Sequence, residues 1–433
     1  KIRLFTGLIL YTYFITVIVG YALRNSGIYN HPRWIPKSIC ILIGEVSNNP
    51  KNIWNELTSG KYRSFLENTE INDGFTYFEK DKPIDSLLIL TSYELGRHQV
   101  EVVLYDVNNN KTIKKWEPPM KLISDLSHVK IGDNERFRKG EPVFLWHPLL
   151  CKDSSIIVHT YYSLARINSN SEIDWVKNNY ETHHSIEQGP DGFIWISGRR
   201  HKTELKGLIK DEDDDLKFQF RDDLIMKIDP LNGEVLYEKS VIEILKENNI
   251  DDLMYSDGQV ISDPIHLNDV QPAMYDGDFW KKGDLLVSCR NISTLLLYRP
   301  SSNKVLWYKQ GPWLSQHDGD FYQQDKIVIF GNQVFGGGFY NGIESPSDYN
   351  SVFVYDFKKD TIYEPFKKMI EKNNIMTRSE GRCDILPNGD IFIEEQNNAR
   401  ILIGDSINKK VEFVKRINDE YIIKPNWSRI ILK

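Results

Sequence analysis

The sequence predicts an all-β protein, a six-bladed β-propeller with an N-terminal transmembrane helix and a short helical neck. Three observations predict it: a near absence of alanine, a train of short apolar runs separated by turn residues, and an internal repeat. Only Ala22, Ala165, Ala273 and Ala399 occur in 433 residues, while aromatic residues make up 12%. Alanine is the best helix former and aromatic residues suit a pleated sheet, so the composition leans toward strands. With 40% hydrophobic and 27% charged residues the chain is of the globular class, neither disordered nor a polytopic membrane protein.

Taken in chain order, the first element is Leu4 to Leu23, uncharged and long enough at about 1.5 Å per residue to cross a hydrocarbon core of roughly 30 Å. Lys1 and Arg3 precede it and favour a cytoplasmic amino terminus, although Arg24, Arg33 and Lys37 follow. A cleaved signal peptide, with Gly20 and Ala22 before the cut, is the alternative, and its apolar core would be unusually long. Residues 1–24 are therefore expected to form a membrane segment, with the bulk of the chain on the extracytoplasmic, periplasmic side. Residues 25–83 read as a neck, broken by Pro32 and Pro36 and turning helical over Lys51 to Leu66 around Trp54, Leu57, Phe65 and Leu66.

From residue 84 to 433 the pattern is of strands. SLLILTSY, QVEVVLYDV, SSIIVHTYY, FIWISG, LIMKID, DLLVSC, TLLLYR, KIVIFGN, SVFVYDF and DIFIEE alternate with turn residues, as in an antiparallel sheet protein. Four segments align as repeats, beginning at His184, His266, His317 and Arg382 and ending at Tyr237, Trp307, Tyr363 and Phe413. Two weaker units fit from Ser86 to Trp116 and from Pro142 to Trp175. Six units of four short strands make a closed propeller that leaves only short protected edges; a β-sandwich pair would not explain the matched repeat. The charged stretch His201 to Gln219 and the Gly-rich stretch Gln333 to Asn350 read as inserted loops.

A net charge of −7 without a basic stripe argues against nucleic acid as a partner. Cys40, Cys151, Cys289 and Cys383 stand far apart, so neither a zinc knuckle nor a disulfide framework is encoded. The histidines carry more information. Three of ten, His184, His266 and His317, recur just ahead of the innermost strand of successive repeats, with Arg382 in the fourth place. Equivalent positions in a propeller converge on one mouth of the central channel. Three imidazoles and a guanidinium there suit a metal, an oxyanion, or a neutral imidazole acting as nucleophile. Asp269 and Asp318 follow two of these histidines and His183 precedes the third. Since neighbours on a strand face opposite sides, Asp269 and Asp318 are expected to serve turns or to support the site, and the repeat favours His184 over His183.

The elements His183-His184-Ser-Ile, His266-Leu-Asn268-Asp, Leu-Val-Ser-Cys-Arg290-Asn-Ile-Ser and Gln316-His317-Asp resemble the motifs of the arylsulfate sulfotransferase family over roughly residues 140 to 433. The resemblance implies a six-bladed propeller that moves a sulfuryl group from an aryl sulfate to a phenol without a nucleotide or other cofactor. It implies that His317 is transiently sulfated and that His184, His266, Asn268 and Arg290 hold the sulfuryl oxygens. Arg382 joins the substrate-binding set by repeat alone, and His183 by its motif. The family's periplasmic members carry an additional amino-terminal β domain, where this chain has the apolar segment and neck. No metal ligand set is expected. Two other functions stay open at this level: a non-catalytic propeller that binds sulfated or anionic ligands, and a metal-dependent propeller hydrolase.

Overall fold

The computed structural model describes residues 63–65, 73–78, 87–96, 99–125, 145–160, 162–178, 181–202, 220–255, 261–335, 346–416 and 421–432. The expected membrane segment, most of the neck, and the centres of both inserted loops lie outside the described residues. Arg63–Phe65, at the edge of the stretch read as helical turns, is a strand. Among the described residues no helix is long and apolar enough to cross a membrane. The chain divides into two units, residues 1–63 and 64–433, and the propeller blades belong to the second.

Six antiparallel sheets succeed one another along the chain. Blades 2 to 5 are each built from consecutive strands. Blade 2 has Trp146–Leu150, Ile156–His159, Leu164–Ile167 and Ile173–Lys177; blade 3 has Glu181–Gln188, Ile194–Lys202, Phe220–Ile228 and Val235–Ser240. Blade 4 has Leu267–Pro272, Leu285–Cys289, Thr294–Arg299 and Lys304–Gln310; blade 5 has Asp318–Tyr322, Lys326–Gly331, Ser351–Asp356 and Thr361–Tyr363. The propeller is therefore six-bladed, as the repeat predicts.

The ends depart from the simple repeat. The unit from Ser86 to Trp116 supplies only three strands of blade 1, Leu87–Gly96, Gln99–Asp106 and Lys111–Trp116, and its innermost strand is Asn426–Leu432 from the far end of the chain. Blade 6, built from Arg382–Ile385, Ile391–Glu395, Arg400–Gly404 and Lys409–Arg416, gains Gly74–Tyr77 on its outermost strand. Each end of the unit thus completes the sheet of the other, which removes two open edges.

Burial explains why sheets pack radially. The second strands of blades 4 and 6 are buried at every position, whereas the outer Lys304–Gln310 alternates exposed with half-buried. Sheets buried on both faces need neighbours on both sides, and six apolar clusters fill the six gaps. The one between blades 3 and 4 joins Trp195, Phe220 and Ile225 to Leu267, Leu285 and Val287. The one between blades 6 and 1 joins Phe392, Ile401 and Phe413 to Leu87, Ile89 and Tyr105. At about 1.5 to 3 kcal/mol for each buried large apolar side chain, these interfaces carry the fold. The first hairpins of blades 3, 4 and 6 turn at Gly192, Gly283 and Gly389, all with φ between 86° and 89° and open space where a Cβ would stand. Backbone conformation alone selects glycine there.

One feature positions the site. Each innermost strand of blades 1 to 4 has a residue at positive φ in or just ahead of its first half, namely Trp427 at 51°, His147 at 42°, His184 at 62° and His266 at 50°. Register slips accompany each, between Asn426 and Arg429, Trp146 and Leu149, His183 and Ile186, and Leu267 and Asp269. Left-handed backbone costs a non-glycine residue on the order of 1 kcal/mol, and such strain concentrates where a side chain must be aimed.

Candidate active site

These bulges bring imidazoles together at one mouth of the channel. The His184 ring lies 5.1 Å from that of His266 and 6.0 Å from that of His317, centroid to centroid. Trp427 closes the group, 5.5 Å from His184 and 6.4 Å from His317. Alternation along a strand would have turned His183 away from His184. The bulge overrides it: the two Nδ1 atoms are 2.7 Å apart and the rings meet edge to face at 4.9 Å.

Each of the three rings is held through Nδ1, and Nε2 finds no hydrogen-bond partner among the described residues. His317 Nδ1 lies 2.7 Å from Asn332 Oδ1 and 3.1 Å from the Ser315 carbonyl. Asn332 Nδ2 donates to the carbonyls of Thr377 and Glu380, at 2.9 and 2.8 Å, which fixes the amide so that Oδ1 faces the imidazole. Both groups at Nδ1 are acceptors, so Nδ1 carries the hydrogen and Nε2 keeps its lone pair. Burial, with the Arg290 guanidinium next, holds the His317 pKa well below that of a free imidazole, so the ring is neutral near pH 7.

His266 Nδ1 lies 2.8 Å from Asp263 Oδ2, which also accepts from Arg221 at 2.8 Å. Burial works against an ionised Asp263, yet the charges around it, His266 first, hold its carboxyl well below the usual range. The carboxylate accepts the hydrogen on Nδ1 and so fixes the aim of the ring. Behind His184, His183 Nε2 stands 3.3 Å from Asp223 Oδ1, and that carboxylate also takes Arg199 Nε at 3.1 Å and the Leu267 N–H at 2.8 Å. His159 donates from Nε2 to the His184 carbonyl at 2.9 Å and so fixes the bulge itself.

Arg290 and Asn268 frame the same mouth. Arg290 donates from Nη1 to Asn291 Oδ1 at 2.8 Å, and its buried Nε has no partner among the described residues. Fully buried Asn268 donates from Nδ2 to the Gln316 carbonyl at 2.6 Å, beside His317, while its Oδ1 is unpartnered among the described residues. Beside Arg290 lies a cavity of about 370 Å³, lined by Asn291 and by apolar groups that include Met254, Pro264, Ile292 and Leu314.

Arg382 stands elsewhere. The Asp269 carboxylate accepts from the Gly319 N–H and the Asp318 carboxylate from the Cys383 N–H, at 3.2 and 2.9 Å. These ties make Arg382 the counterpart of Asp269 and Asp318, which stand three residues past His266 and one past His317. Its guanidinium is accordingly met by His147 Nε2 and by Asp384, Asp318 and Glu187 at 3.6, 3.7 and 4.0 Å. Burial of this acidic group, with Asp384 nearby, pushes the Asp318 carboxyl up to about 7. Asp269 and Asp318 thus link neighbouring inner strands. Among the described residues no group of three or more His, Cys, Asp or Glu side chains is arranged to hold a metal ion. Cys151, Cys289 and Cys383 are free thiols.

Sequence reasoning missed Trp427, His147, Asp223, Asp263 and Asn332. His147 did carry a signal, since it stands near the start of the second unit as His184 and His266 stand at the start of the next two. Asp223 comes from a third strand, Asp263 from a loop and Asn332 from the end of a second strand, and no shared repeat position marks them.

Among curated proteins, none is significantly similar to the chain. Several solved structures are similar in part. A protein of unknown function from Bacteroides caccae is 10% identical with a TM-score of 0.46, covering 81% of this chain and 100% of that one. The WD40 domain of Neurospora crassa Pan2 is 13% identical with a TM-score of 0.39, covering 83% and 87%. The C-terminal WD40 domain of Sif2 is 10% identical with a TM-score of 0.39, covering 84% and 99%. Likeness at this level carries no argument about function. The family described as arylsulfotransferase (ASST) matches residues 155–416. That span takes in His183, His184, His266, Arg290 and His317, together with Asn332, Asp223 and Asp263 behind them, and the chain belongs to the arylsulfotransferase family.

Proposed function

We propose that the protein transfers a sulfuryl group from an aryl sulfate to a phenolic acceptor through a sulfo-histidine at His317. The observation that carries this reading is the clamp on His317: Nδ1–H is spent on Asn332 and the Ser315 carbonyl, so a buried neutral ring presents its Nε2 lone pair. In the first step Nε2 attacks sulfur, the sulfur–oxygen bond to the aryl group breaks, and the departing aryloxide takes a proton. The sulfated ring keeps its Nδ1–H, and its positive charge is balanced by the sulfonate. In the second step the phenol oxygen attacks sulfur, the nitrogen–sulfur bond breaks, and the phenol proton passes to a base.

Sulfuryl transfer spreads charge over equatorial oxygens in a loose transition state, as phosphoryl transfer does, so aimed donors supply much of the catalysis. Arg290, with an unpartnered Nε, is a donor in this reading, and so is Asn268 through the second hydrogen of the Nδ2 group that already donates to the Gln316 carbonyl. His266, backed by Asp263, and His184, backed by His183, are the groups placed to give and take protons. Arg382 braces the channel beneath.

Incubation with 4-nitrophenyl sulfate and a phenol tests the reading. Release of nitrophenol by the wild-type protein, one added sulfuryl group on His317 by mass spectrometry, and loss of both in His317→Ala are expected. No release by the wild type, or equal release by His317→Ala, overturns it.

A further inference from the structure

The paired rings of His183 and His184 hold one more device. Their Nδ1 atoms lie 2.7 Å apart, so one hydrogen is shared between two nitrogens. The far side of His183 decides which nitrogen owns it. His183 Nε2 stands 3.3 Å from the Asp223 carboxylate without an aligned hydrogen bond between them, and a lone pair this close to an anion is unfavourable where an N–H is not, so the hydrogen of His183 belongs on Nε2. His183 Nδ1 is then the acceptor, His184 Nδ1 the donor, and His184 Nε2 points a lone pair into the mouth. We propose that Asp223, His183 and His184 form a two-histidine proton relay, in which His184 exchanges a proton with the reacting oxygen and His183 carries the resulting charge beside Asp223.

This rests on the proposed sulfuryl transfer and specifies its proton path. When an acceptor phenol loses its proton to His184 Nε2, the hydrogen on His184 Nδ1 passes to His183 Nδ1. His184 ends neutral with its hydrogen on Nε2, and His183 ends as an imidazolium with hydrogens on both nitrogens. The reverse passage delivers a proton to the departing aryloxide, and no other reactant is consumed. The charge comes to rest on His183, away from the positive Arg290 and the sulfated His317.

The surroundings fit this task. Asp223, Arg199, His159, His266 and His184 face His183, while Glu181 and Asp263 face Arg199. Three carboxylates, Asp223, Asp263 and Glu181, stand against two guanidiniums, Arg199 and Arg221, and one added proton balances the set. Burial, with Arg199 next, lowers the His183 pKa, so a proton carried by the pair when the donor binds is readily given to the departing aryloxide and is regained from the acceptor phenol in the second step. His183, expected from its motif to bind substrate, is by this account a positioning residue that acts through His184, as is Asp223.

Two measurements test the relay. In the intact protein labelled with ¹⁵N-histidine at pH 8, long-range proton–nitrogen couplings are expected to show His183 protonated on Nε2 and His184 on Nδ1. The opposite pair of tautomers overturns the proposal whether or not the protein turns over. Aryl sulfates with weakly and strongly basic leaving groups, 4-nitrophenyl and 4-methylphenyl sulfate, supply the second. Asp223→Asn and His183→Gln are each expected to slow the 4-methylphenyl substrate at least tenfold more than the 4-nitrophenyl one, because a basic aryloxide depends on the proton. Equal losses on both substrates overturn the relay while leaving the sulfo-histidine intact. No turnover and no sulfo-histidine in the wild type overturn the proposed function instead, and the tautomers still decide the relay.

Discussion

Asn332 Oδ1 and His317 Nδ1 are 2.7 Å apart, and Asn332 cannot turn over because its amide nitrogen is held by two carbonyls. One side chain thereby sets both the tautomer and the aim of His317, the proposed nucleophile. Asn332→Asp keeps the shape but places a carboxylate behind the ring. An opposite charge raises an imidazole's pKa by about 1 to 3 units, and the attacking form is the neutral one, so the acid limb of the rate profile moves to higher pH. The pH dependence of sulfo-enzyme formation checks this; an unmoved limb sinks the assignment.

Arg290→Lys separates charge from fork. A lysine retains the charge but not the planar pair of donors, and the free Nε disappears. A fall in kcat/KM of roughly 10- to 100-fold is expected, shared between kcat and KM, and read by steady-state kinetics with 4-nitrophenyl sulfate.

Trp427 is almost completely buried against His184 and His147. Trp427→Ala should cost about 3 to 5 kcal/mol in denaturant unfolding, as for other large aromatic deletions. Trp427→Phe keeps most of the packing and should lose far less stability. If the two variants unfold alike, the ring does not hold the inner strand of blade 1.

Buried histidines and carboxylates give stability opposite slopes with pH. His159 is pulled down to about 4, chiefly by burial, so its unfolded form takes a proton first as the pH falls below about 6.5. That contribution, about 3 kcal/mol, is full above pH 6.5 and eroded toward pH 4. Asp318, raised to about 7, behaves the other way: its contribution is full below the unfolded value of 3.8 and lost as the pH rises through 7. His159→Gln should therefore gain in Tm relative to wild type on going from pH 8 to 4.5, and Asp318→Asn on going from pH 5 to 8. Thermal melts at these values decide both.

The sequence made blades 2 to 6 legible because their hairpins repeat in place, with Gly192, Gly283 and Gly389 at matched turns. Blade 1 was incomplete by its own residues, since a strand from the other end of the chain has no local signal to announce it. The three histidines were legible for the same reason as the blades. Arg382 was misplaced by one residue, because Gly381 stands where blade 5 carries His317, and only inter-strand hydrogen bonds reveal the offset. His183 was set aside by strand alternation, a rule that a bulge suspends. Asp223, Asp263 and Asn332 reach the histidines across blades or loops, and pattern in one dimension does not encode such meetings.

The return of Asn426–Leu432 to blade 1 also sets a timetable. Ser428 meets Thr91 across 337 positions of chain, so at roughly 5 to 20 residues per second a ribosome leaves the inner edge of blade 1 waiting about 15 to 70 seconds for its partner. Because the last of the described strands to be made brings Trp427, a nascent chain holding all three histidines still lacks one wall of the pocket they share. Enzymatic competence should then arrive in a single step once residues 426–432 are made, and a chain stopped before residue 426 should show an unpaired sheet edge and no sulfated His317.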